Sequence, residues 1–187
     1  MANFPIEISA RHVHLTESDW TALFGPAEMK KDHELSQRPN FTATQRVTIR
    51  GPKGELKGVA IVGPCRPYTQ VELSITDARF VGITPPLSDS GDLKNAATIT
   101  IIGSRGEIVK AAAIIQKRHL HIDPAQASKL GLKKNQVLSM GVPGPRGAVI
   151  SNVFVRVHPN FNGRLQLDTD EGNALGVTPG MTAEILV

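Results

Sequence analysis

The chain has 187 residues, enough for one large or two small domains, and should bury roughly 70% of its unfolded surface without a disulfide staple. Its 21 basic and 17 acidic residues leave a net charge of +4, which suits a small anionic ligand. With aromatic residues at 4% and no dense Lys/Arg run, nucleic acid is excluded as the leading partner.

The start, "MANFPIEISA", lacks a basic-then-apolar signal pattern, and its first strand is expected to begin by about residue 4. "RHVHL" (11–15) follows, then "TESDWTALFG", a short helix with Thr16 as N-cap, Asp19 three residues on and Gly25 as the stop. Residues 26–45 are polar and weakly patterned, and read as a surface excursion. "VTIRGPKGELKGVAIVG" (47–63) is two alternating apolar runs around Gly-Pro-Lys-Gly, a hairpin signature. "VELSIT" and "ATITIIGSRGEIVKAAAII" read as further strands. "RHLHI" (118–122) then repeats the first word, before "DPAQASKLG", a helix with Asp123 as N-cap and Pro124 in its first turn. "QVLSMGV", "AVISNVFVRVHP" and "RLQLD" complete the strands. Many short strands, Gly/Pro turns and a few capping helices predict small β-barrels or sandwiches. One cysteine, Cys65, rules out an internal disulfide and points to the cytoplasm, and no run approaches the roughly 18 apolar residues of a membrane helix.

The repeat is longer than five residues. "VELSITDARFVGI" (71–83) aligns without a gap with "LQLDTDEGNALGV" (165–177), apolar on apolar, with Gly82 matching Gly176. Two related barrels are the economical reading.

In a strand, residues i and i+2 share a face. His12 and His14 therefore point one way, as do His119 and His121, with Val13 and Leu120 turned to the core. Two imidazoles on one face suit chelation of Zn²⁺ or a similar ion, whereas a single His-x-His more often caps a backbone group. Glu72 is a candidate third ligand for one pair, against the plainer reading of a solvent-facing strand residue. Gln166 holds the equivalent place beside the other pair, where a neutral amide is a poor zinc ligand. His158 precedes a proline in "RVHPN" and is a further candidate; His33, in the polar stretch, is incidental. Arg66 and Arg156 are either solvated or, near a metal, suited to phosphate. Cys65 reads as packing more readily than as a nucleophile.

"ISARHVHL", "GPCRPYTQVELSITDA", "SGDL", "QKRHLHI" and "LDTDEGNALG" together resemble the phosphate propanoyltransferases, the PduL-type phosphotransacylases associated with bacterial microcompartments. The resemblance implies acyl transfer between coenzyme A and inorganic phosphate. It implies two small β-barrels with helical caps and the first strand swapped, so that residues 1–10 and 117–187 form one barrel and 11–116 the other. By position it makes His12, His14 and Glu72 ligands of one zinc, open to the CoA sulfur, and His119 and His121 ligands of a second. Arg66 and Arg156 match the phosphate-handling arginines, while Ser9, Gln70 and Ser90 match polar residues lining the same pocket. Phosphate would attack the thioester directly, with no covalent enzyme intermediate.

Two departures stand out. The family carries a third histidine where this chain has Gln166, and an arginine where it has Ser88 in "PLSDSG". The resemblance also implies a microcompartment shell or encapsulated enzymes as partners, and a homodimer. The early first strand is expected to leave no room for an amphipathic encapsulation segment. Two rival readings stand beside the transferase: a non-catalytic zinc and CoA-binding protein with an impaired second metal site, and a hydrolase using a metal-bound water.

Overall fold

A computed structural model describes residues 2–186. In chain order the elements are β1 (Asn3–Ile8), β2 (His12–His14), α1 (Glu17–Phe24), β3 (Lys31–Glu34), β4 (Phe41–Arg50), β5 (Glu55–Gly63), β6 (Gln70–Glu72), α2 (Ile75–Val81), β7 (Leu87–Ser88), β8 (Ala97–Ile102) and β9 (Glu107–Gln116). They continue with β10 (His119–Ile122), α3 (Pro124–Lys129), β11 (Val137–Val142), β12 (Ala148–Val157), β13 (Arg164–Leu167), α4 (Thr169–Leu175) and β14 (Thr182–Leu186). The fold is mainly β, as expected. The chain divides into a central unit, Ala10–Gln116, and a second unit made of residues 1–9 with Lys117–Val187.

The central unit closes on itself in the order β9-β6-β2-β5-β4-β8 and back to β9. The other unit closes as β1-β13-β10-β12-β11-β14. The two cycles have the same pattern. β6 runs parallel to β9 as β13 runs parallel to β1, and β2 parallel to β5 as β10 parallel to β12. β1 therefore occupies in one barrel the place that β9 occupies in the other, and each leads directly into a His-x-His strand of the opposite unit.

Alternation along the strands builds each core. Val13, Leu15, Ile61, Val71, Leu73 and Ile101 fill the central barrel beneath Trp20, Leu23 and Phe24 of α1. Phe4, Leu120, Ile122, Met140, Val155 and Leu165 fill the other. The helices begin where their caps dictate: Thr16, Ser74, Asp123 and Asp168 each accept from a backbone N–H in the first turn. Gly82 and Gly176, matched in the repeat, end α2 and α4 in the left-handed conformation, at φ 82° and 64°.

The polar stretch 26–45 is more regular than expected. Lys31–Glu34 forms β3, exposed throughout, on the edge of β4, which itself begins at Phe41. Its hydrogen bonds come from the neighbouring strand, so no apolar alternation announces it. Among the described residues no helix is long and apolar enough to cross a membrane.

Candidate metal centre

β2 lies between β5 and β6, and its core residue Val13 forces His12 and His14 to the outer face. His12 is the direct cross-strand partner of Glu72, and His14 of Gln70. Paired residues project from the same face, so both imidazoles and the carboxylate converge. His12 Nε2 is 3.2 Å from His14 Nε2 and 3.5 Å from Glu72 Oε2; His14 Nε2 is 3.9 Å from Glu72 Oε1. Ligands about 2.0–2.1 Å from one ion at tetrahedral angles lie about 3.4 Å apart, so the spacing fits a single zinc-sized cation.

The hydrogen bonds behind these groups choose the atoms that face inward. His12 Nδ1 is 2.8 Å from the Ala10 carbonyl and His14 Nδ1 is 3.0 Å from the Val62 carbonyl. A carbonyl only accepts, so both Nδ1 atoms carry a proton and both rings turn Nε2 inward, where the neutral ring presents a lone pair. Two lone pairs and a carboxylate facing each other in a buried place repel unless a positive charge joins them. For His12, burial works against the charged form, but Glu72 and the Ala10 carbonyl outweigh it and raise the pKa despite Arg66. His14 is held well below the usual imidazole range by burial, then by His12 and Arg66. The site thus attracts one cation while keeping its inner imidazole neutral.

Glu72 is buried and aimed from behind. Gln70 Nε2 donates to its Oε1 at 2.5 Å, and Ser90 Oγ donates to the same oxygen at 3.4 Å. Gln70 also donates to Ser90 Oγ at 3.0 Å and accepts the Gly91 N–H at 2.7 Å. Gln70 and Ser90 therefore form the support of Glu72, an arrangement that fixes a metal-ligating carboxylate. Arg66 is held by its backbone N–H on Leu15 and by a 3.4 Å bond from Nη1 to the Tyr68 hydroxyl. Its charge is felt by both imidazoles.

The second pair repeats the first on the other unit. His119 is the cross-strand partner of Gln166, as His12 is of Glu72. His119 Nδ1 donates to the Lys117 carbonyl at 2.8 Å, the same bond, two residues back, that His12 makes. The rings of His119 and His121 are 4.4 Å apart, against 4.9 Å for the first pair. Arg156 is in register with His121 on β12. Phe161 packs 4.0 Å from the His121 ring and 5.1 Å from that of His158. Ser9 also belongs to this unit, its N–H bonded to the Leu167 carbonyl. Among the described residues, His12, His14 and Glu72 are the one set of three His, Cys, Asp or Glu ligand atoms within 4.8 Å of one another.

Other residues singled out in the sequence take plain roles. Burial, with Glu17 nearby, pushes the Cys65 thiol up, so it is a poor source of thiolate. Ser88 donates to the Asp92 carbonyl, and His33 bonds Thr42 at the surface. The backbone carbonyls of Ala10 and Val62, which set the tautomers, and Tyr68 were not legible beforehand, since backbone groups carry no residue signature.

Comparison with known proteins places the chain in a family. Residues 5–178 match the family model of phosphate propanoyltransferase. A phosphate propanoyltransferase of Alkaliphilus metalliredigens is 40% identical over 97% of this chain and 87% of its own length. One from Priestia megaterium is 42% identical over 95% and 83%, and one from Rhodopseudomonas palustris 40% over 91% and 76%.

Proposed function

The chain belongs to the phosphate propanoyltransferase family and is an acyltransferase; on that premise we propose that it moves a propanoyl or similar short acyl group between coenzyme A and inorganic phosphate in a metal-dependent reaction. The observation that carries the metal dependence is the convergence of His12, His14 and Glu72 at tetrahedral spacing. These three residues would hold a zinc ion and leave one position for a substrate. Bound there, zinc supplies a Lewis acid that stabilises the thiolate of departing coenzyme A.

The chain's own groups do the rest. Gln70 and Ser90 keep the Glu72 carboxylate in place. Arg66 provides a fixed guanidinium beside the imidazoles, suited to grip phosphate bidentately. The resemblance alone gives Arg156, in register with His121, a phosphate-handling role and Ser9 a polar contact to substrate. Phosphate held near the thioester carbonyl attacks it directly: a C–O bond forms, the C–S bond breaks, and acyl phosphate and the CoA thiolate leave. No side-chain nucleophile is needed, in keeping with the raised pKa of Cys65. His119 and His121 would hold a second ion. The reducing setting implied by one free cysteine fits the cytoplasm or a bacterial microcompartment. Assembly as a homodimer, and contacts with a shell or encapsulated enzymes, rest on the resemblance alone.

Trapping the product with hydroxylamine tests the reading. Propanoyl-CoA and phosphate should yield a hydroxamate in step with thiol release. Thiol release with only propanoate formed would make the chain a hydrolase, and neither product would make it a binding protein.

A further inference from the structure

At the second histidine pair the amide of Gln166 stands where the first pair has a carboxylate, and an amide left to itself is a poor and ambiguous ligand. Its nitrogen and oxygen are nearly equal in size, and only the oxygen can bind a cation. The structure resolves the ambiguity. Glu7 on β1 is the cross-strand partner of Gln166 on β13, and Gln166 is the partner of His119 on β10. The core residues Leu165 and Leu120, with Ile6 packed against them, fall one position away in the same register, so Glu7, Gln166 and His119 form a row on the outer face. Gln166 Nε2 donates to Glu7 Oε2. An ionised carboxylate only accepts, so Glu7 fixes which end of the amide it receives. Gln166 lies between Glu7 and His119, and holding its nitrogen on Glu7 leaves its oxygen to the His119 side. His119 and Gln166 are both buried, at 1% and 7% exposure, which restrains the amide further. His119 meanwhile keeps Nδ1 on the Lys117 carbonyl, as His12 does on the Ala10 carbonyl, so Nε2 is the ring nitrogen on the far side from that bond.

We propose that Glu7 is a positioning residue that turns Gln166 into an oxygen ligand, so that His119 Nε2, His121 and Gln166 Oε1 form a second cation site. The proposal rests on the metal-dependent reading above. Two imidazoles with a neutral carbonyl-type oxygen bind zinc more weakly than two imidazoles with a carboxylate, so this site fills after the first. Glu7 acts on the amide as Gln70 acts on Glu72: in each barrel an amide and a carboxylate are paired beside the histidines, with the roles exchanged.

Zinc titration of the whole chain, read by a chelating indicator dye and by metal content after gel filtration, tests the assignment without reference to turnover. The wild type should take up two zinc ions with distinct affinities. Glu7→Leu should weaken the second about 10- to 100-fold, the usual effect of losing an outer partner, and leave the first unchanged. Glu7→Gln, which keeps an oxygen acceptor and the shape of the strand, should restore most of the loss; it also keeps the test open if the leucine variant folds poorly. Gln166→Leu should remove the second ion altogether. Two ions bound with wild-type affinities in Glu7→Leu would overturn the proposal. So would a wild type that binds a single ion, lost only on changing His12, His14 or Glu72. Failure of the wider reading looks different, since the first ion would then be missing as well.

Discussion

Replacing Gln70 with leucine isolates the support of the first metal site. The side chain is 0% exposed, and leucine fills part of its volume with no hydrogen-bonding group, so the change mainly deletes hydrogen bonds. Glu72 Oε1 loses its 2.5 Å donor and keeps the longer 3.4 Å contact from Ser90. Ser90 loses a donor at 3.0 Å, and the Gly91 N–H loses its acceptor at 2.7 Å. Loss of an outer partner lowers metal affinity about 10- to 100-fold, which corresponds to about 1.4–2.7 kcal/mol. Leaving buried polar groups unsatisfied lowers stability of the metal-free protein by about 1–3 kcal/mol. Zinc affinity by dye competition and stability by urea unfolding read the two effects separately. A folded Gln70→Leu protein that binds zinc as tightly as the wild type would refute the argument that Glu72 is held in place by the amide.

Other perturbations test the remaining parts of the account. Gln166→His should tighten the second site and raise turnover; if neither changes, Gln166 is not at a metal. Leu120→Ala, in the fully buried position between His119 and His121, should destabilise its barrel by about 2–5 kcal/mol in urea unfolding. Asp19, at the start of α1, accepts from Thr69 and Lys110; burial raises its pKa, but the hydrogen bonds from Lys110, Thr69 and Thr16 outweigh it and hold the carboxyl below its ordinary value. Its contribution is therefore complete above about pH 4 and is lost as the pH falls through the depressed folded value. Asp19→Asn should lower stability at neutral pH by about 1–3 kcal/mol and flatten that acid-side loss, measured by thermal melts across pH.

Much of the site was legible because period-two alternation and helix caps are local. The gapless match of 71–83 with 165–177 makes Glu72 and Gln166 equivalent, and it is the strand registers that set them against His12 and His119. Repetition alone predicts two barrels but not which strand closes which; the exchange of β1 and β9 depends on pairings across most of the chain. Glu7 stayed hidden for the same reason, being 159 residues from its partner Gln166. Gln70 and Ser90, expected to line a pocket, are bound up in the support of Glu72, a relation set by the loop that brings Ser90 and Gly91 back over β6. β3 was missed because Lys31–Glu34 has no buried face and exists only as an edge on β4.

The most direct test of the central claim is thiol release from propanoyl-CoA in four conditions: with and without phosphate, before and after removal of metal by a chelator. The account predicts release only when phosphate and metal are both present, restored by adding zinc to the stripped protein. Release that persists after the metal is removed, in a protein shown to be metal-free, would contradict it.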